Sequence, residues 1–155
     1  MYANMLLVHS WLRWFTLLMC AGAVVYAARP VPPDGSTLPG KTWDSYLMLA
    51  VDLQMLVGLI LYFGLSDFTR AGMENFGTAV REPSVRYWAI VHAGGMFAAL
   101  ILVRIGRVLA MNAPTPALAQ RRRLIWFVIA TLMILAAMPW PGLANARPLF
   151  RWGWG

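Results

Sequence analysis

The chain predicts an all-α integral membrane protein, an up-and-down four-helix bundle with a short interfacial helix between helices two and three. Three observations carry this. The composition is 60% hydrophobic and 12% charged, with a mean hydropathy of +0.61, which suits lipid, where backbone groups are satisfied inside helices and polar side chains become exceptions. Four segments are dominated by aliphatic and aromatic residues: Met5 to Ala28, Trp43 to Leu65, Tyr87 to Met111 and Leu124 to Pro139. Each is close to the roughly 17 to 25 residues a helix needs to cross about 30 Å of hydrocarbon. The whole chain, 1–155, reads as one transmembrane domain.

The first helix covers about 5–28. Met1 to Ser10 has no Lys or Arg, so the cationic start of a signal peptide is missing and the helix is expected to be retained. Arg29 to Lys41 (RPVPPDGSTLPGK) follows, too rich in Pro and Gly for a helix, and reads as a plain connector. Helix two covers about 43–65. Segment 66–85 has Ser66 placed to cap a helix, with Phe68, Met73, Phe76 and Val80 recurring among Asp67, Arg70 and Glu74. That pattern suits an amphipathic helix lying on the outer interface. Glu82-Pro83-Ser84 ends it and restarts the chain as helix three, about 86–111.

Asn112 to Gln120, with Pro114 and Pro116, reads as a further connector. Helix four, about 121–139, begins within the Arg121 to Arg123 run and stops at Pro139-Trp140-Pro141-Gly142. The tail, 140–155, carries Phe150, Trp152 and Trp154, suited to the headgroup level.

Charge fixes an expected orientation. The loops after helices one and three hold Arg29, Lys41, Arg104, Arg107 and the triple Arg, and basic residues favour the cytoplasmic side. Both termini are therefore expected on the periplasmic side of a bacterial inner membrane. The net charge of +7 is spread over both faces, and its largest cluster meets anionic lipid, so nucleic acid is not an expected partner. The one cysteine, Cys20, excludes an internal disulfide, a thiolate iron-sulfur cluster and the paired cysteines of covalent haem attachment.

The polar residues within the apolar segments are the candidate sites. The only histidines are His9 and His92. Both fall about 10 Å below the outer end of their helix at 1.5 Å per residue, and helices one and three are diagonal neighbours in such a bundle. Two histidines from different helices are a usual way to hold haem b, so His9 and His92 are candidate iron ligands. Gly94 and Gly95 would leave room for the macrocycle. Arg13, one turn from His9, and Arg86 on the same outer side are candidate partners of the propionates. The alternative is that each histidine is an interfacial hydrogen-bonder. A buried Asp52 is expected to pair with Arg104, Gln54 making a separate polar contact.

Nucleophilic chemistry has little support: Ser10 adjoins His9 but points about 100° away on a helix, and no phosphate loop or zinc spacing occurs. The strings LLVHSWLRW, DLQMLVGLILYF, VRYWAIVHAGGM followed by RIGR, and MPWPGLANARPLFRW resemble a family of small four-helix bacterial membrane proteins often labelled cytochrome b-like. The resemblance covers most of the chain and implies His9 and His92, with Arg13, as the positions of interest; no substrate comes with it. Two functions are therefore expected in competition. One is a b-type haem protein relaying electrons to or from a quinone or a periplasmic carrier. The other is a haem-free accessory subunit packed against other membrane subunits of a larger respiratory or photosynthetic complex through the aromatic tail and interfacial helix, with Gly94 and Gly95 serving close helix packing instead of a cofactor.

Overall fold

A computed structural model describes residues 1–32 and 40–152. Among the described residues the chain is all-helical, without strands. Helix α1 spans Tyr2–Ala27, starting three residues earlier than hydropathy suggests, and α2 spans Gly40–Ile60. A π-helical turn, Leu61–Leu65, extends α2. Three short helices follow: α3 (Asp67–Glu74), α4 (Phe76–Arg81) and α5 (Pro83–Arg86). A second π-helical segment, Tyr87–His92, leads into α6 (Ala93–Met111), and α7 spans Pro116–Ala137. Most of the Arg29 to Lys41 connector, and Trp154, lie outside the described residues.

Three helical stretches are long and apolar enough to cross a membrane: Tyr2–Ala27, Thr42–Leu65 and Pro83–Met111. Their outward faces carry Leu18, Phe63, Phe97 and Val108, each more than half exposed. Helix α7 differs, because its apolar stretch beyond Arg123 rises only about 21 Å to Ala137.

Two sequence expectations change here. Asn112 to Gln120 is not all connector: Thr115 accepts a hydrogen bond from the Leu118 amide (3.2 Å), Pro116 occupies the first helical position, and α7 starts there. Proline has no amide hydrogen to lose at that position, so it opens a helix as readily as it breaks one. Segment 66–85 is three short helices rather than one. Ser66 stands at the start of α3 but makes no side-chain cap; Asn75 instead interrupts the run with an extended backbone and accepts from the Thr78 amide (3.3 Å).

The four long helices form a closed circuit. Helix α1 packs against α2 and α7, and α6 packs against the same two, leaving α1 and α6 on the diagonal. Small residues set the closest approaches. A Cβ on Gly95 would stand 2.8 Å from the Ala137 Cβ, and one on Gly106 would stand 2.5 Å from the Trp126 Cβ, so Gly95, Ala99 and Gly106 let α6 and α7 touch nearly backbone to backbone. Cys20, Leu47, Val103 and Phe127 fill the core below this seam.

The triple Arg is not one patch. Consecutive helical residues point about 100° apart, so Arg121 is exposed, Arg122 donates to the Leu109 carbonyl (2.7 Å) and Arg123 turns inward. Arg123 Nε donates to Asp44 Oδ2 at 2.6 Å, with both side chains almost fully buried. The expectation that the whole cluster meets lipid headgroups therefore holds for no more than part of it.

Candidate functional site

A cavity of about 710 Å³ opens at the end of the bundle opposite Arg123, between α1, α2 and α6, with α3 and α4 walling one side. Ligand pockets typically span 300 to 1,000 Å³. Its lining is mostly apolar, and His9 and His92 both reach it. The two rings stand 6.3 Å apart between centroids, at 72°. A first-row metal bonds an imidazole nitrogen at about 2 Å, so two imidazoles facing each other across one ion would have their centroids roughly 6 Å apart once half a ring is added on each side. The observed spacing fits that arrangement.

The surroundings of each histidine differ. Ala137 ends α7, so its carbonyl has no partner within the helix. It accepts from His92 Nδ1 (2.9 Å) and from the Tyr87 hydroxyl (3.0 Å). A carbonyl only accepts, so Nδ1 carries the proton and Nε2 keeps its lone pair, which is how metal-binding histidines are usually oriented. The Gln54 Nε2 lies 3.3 Å from His9 Nδ1 and 3.2 Å from His9 Nε2. An in-plane approach that close to both nitrogens would collide with Cε1, so the amide sits over the ring and leaves both in-plane directions clear. The same Gln54 nitrogen donates to the His9 carbonyl (3.2 Å), while its Oε1 is buried without a hydrogen bond.

The two glycines beside His92 have separate tasks. A Cβ on Gly94 would meet nothing within 4 Å and would project into open space, whereas Gly95 is pressed against α7. Gly94 therefore belongs to the cavity and Gly95 to packing.

Arg13 lines the cavity, yet its resolved partners are in the tail: it donates to the carbonyls of Pro148 (3.3 Å) and Leu149, and Trp14 Nε1 joins it on Leu149 at 2.9 Å. Phe150 stacks on Trp14 at 5.1 Å between centroids. The tail thus folds back over α1 and brings Arg147 and Arg151 to the cavity. Sequence reasoning missed both, and it also missed Gln54 as a neighbour of His9. Arg86 goes elsewhere: it is exposed, donates to the Val80 carbonyl (3.3 Å) and does not line the cavity. Asp52 accepts from Arg104 at 2.8 Å, outside the cavity, but the pair is not buried, since each side chain is 41% exposed.

The π-helical segments are the other feature that sequence patterns did not reveal. Both flank the cavity, and the Tyr62 hydroxyl in one donates to the Ala89 carbonyl in the other (3.0 Å). Such turns recur at functional sites because the extra residue re-aims side chains; His92 is the last residue of its segment.

Among the described residues no three His, Cys, Asp or Glu side chains gather as they would around a bare metal ion. No family model, curated protein or solved structure matches the chain. The case for function is carried by the chain's own residues.

Proposed function

We propose that this chain is a membrane-embedded b-type haem protein that relays electrons, with iron held between His9 and His92. The observation that carries this is the pair itself: two imidazoles from diagonal helices, 6.3 Å apart, on the wall of an apolar cavity. Haem bound there supplies a one-electron carrier. The chain's residues prepare the place: the Ala137 carbonyl fixes the His92 tautomer, Gln54 covers one face of His9, and Gly94 leaves room.

In this reading α7 completes the bundle as a fourth span, its short apolar stretch extended by arginines satisfied within the protein. The basic loops put both termini on the periplasmic side of a bacterial inner membrane, with the histidines near that face and α3 to α5 at its interface. A single haem at one depth makes the chain a relay to or from a quinone or a periplasmic carrier, working beside other membrane subunits.

An absorbance spectrum of the purified protein, oxidised and then dithionite-reduced, tests the proposal. Soret and alpha bands are expected, and they should vanish in His9→Ala and His92→Ala. Bands absent from protein made with ample haem, or unchanged in both variants, would overturn it. The half-exposed Asp52–Arg104 pair on the outside of α2 and α6 favours a second reading, a haem-free accessory subunit, because a neighbouring subunit would shield those charges from lipid. Co-purification of a partner complex in mild detergent, without haem bands, would select it.

A further inference from the structure

Arg13, Arg147 and Arg151 line the cavity, and among the described residues no carboxylate does. The described ion pairs lie elsewhere, at Asp44–Arg123 and Asp52–Arg104. Arg13 Nε is buried without a hydrogen-bond partner. Arg147 is spread over the Trp88 ring, 5.0 Å from its centroid, and Trp88 in turn contacts His92 at 5.4 Å. Uncompensated cations beside an apolar space are costly, and a ligand anion would relieve them.

The tail that supplies two of these cations is held firmly. The Arg147 amide donates to the Pro139 carbonyl at 3.2 Å, Arg13 and Trp14 grip the Leu149 carbonyl, and Phe150 stacks on Trp14. Positive charge therefore gathers along the side of the cavity where the tail crosses α1. The far side, under α3, is formed by Phe68, Met73 and their apolar neighbours. Such a cavity suits a flat apolar molecule with acid groups along one edge.

We propose that the C-terminal tail completes the ligand site: Arg147 and Arg151, with Arg13, bind the two carboxylates of a tetrapyrrole and set which edge faces the tail. This rests on the tetrapyrrole reading above but not on iron ligation, and the two can fail separately. Carboxylate contacts of this kind are charge-assisted, and guanidinium is the group best shaped for them.

The test uses the full chain in nanodiscs of neutral lipid, titrated by fluorescence with metal-free protoporphyrin IX and with its dimethyl ester. The free acid should bind more tightly than the ester by about tenfold or more, the worth of one charge-assisted contact. The Arg147→Gln/Arg151→Gln variant should lose about that factor for the acid and be unchanged for the ester. Equal losses for both ligands would mean the tail is only structural, and no loss for either would remove the arginines from the site; each result overturns the proposal. In a parallel arm with anionic phosphatidylglycerol, acid binding should persist. If only lipid preference changes in the variant, the arginines serve phosphate headgroups and the proposal falls. Should iron haem give no ligated spectrum while the acid still binds through the arginines, the histidine reading fails alone. If iron haem binds but the metal-free acid does not, the arginine proposal fails alone; if neither binds, both fail.

Discussion

The two ends of the bundle are built from the same four helices and do opposite things with them. At the Arg123 end, Gly22 lies under the Trp43 ring, Gly106 lies against Trp126, and Cys20, Leu47, Val103 and Phe127 leave almost no surface open. The buried charges described there, Asp44 and Arg123, are paired at 2.6 Å. At the histidine end, Gly94 faces empty space, π-helical turns replace regular helix, and two histidines and three arginines surround a cavity. Tight packing in one half supplies the rigidity that lets the other half stay open, a division seen wherever a preformed site must be held in shape.

The sharpest break of this comparison is at the histidines. Replacing His92 with Ala should abolish haem absorbance entirely, while the haem-free protein loses little more than the bond to the Ala137 carbonyl, about 1 kcal/mol by denaturation. A loss above about 3 kcal/mol without haem would make His92 a structural residue. At the other end, Arg123→Ala leaves Asp44 buried and unpaired and should cost about 3 to 5 kcal/mol. Denaturation in mixed micelles measures this, and the double change to Asp44→Asn with Arg123→Met should recover much of the loss.

At the half-exposed pair, which lies within two helices long and apolar enough to cross a membrane, Asp52→Asn leaves the Arg104 guanidinium without its counter-charge and should cost about 1 to 3 kcal/mol. A loss under about 1 kcal/mol would mean that this face is open to water. Adjacent glycines give the next contrast. Gly95→Ala forces its methyl into that of Ala137, a stub that cannot turn away, and should cost about 1 to 3 kcal/mol. Gly94→Ala meets nothing and should be neutral or stabilising by up to about 1 kcal/mol through helix propensity.

Hydropathy alone locates the three helices long and apolar enough to cross a membrane, because long apolar runs admit no other structure in lipid, although α1 and α2 each begin three residues earlier than the runs suggest. The start of α7 was written in Thr115-Pro116, a cap followed by a first-position proline, and was obscured by reading proline only as a breaker. Asp44 gave no local sign of its role, since its partner lies 79 residues away. Arg147 and Arg151 became visible only once the tail folded back, and Arg86, matched to the site by side of the membrane alone, faced away from it. The π-helical turns have no compositional signature, being a change of register within an otherwise ordinary apolar run.

Arg13 and its tail partners are 135 and 136 residues apart. At synthesis rates on the order of 5 to 20 residues per second, the first helix waits about 7 to 27 seconds before the residues that bond its guanidinium are made. During that interval α1 carries an unmatched cation and an open histidine. Closing this side of the cavity is thus a late step in biogenesis, set by the order in which the chain is made.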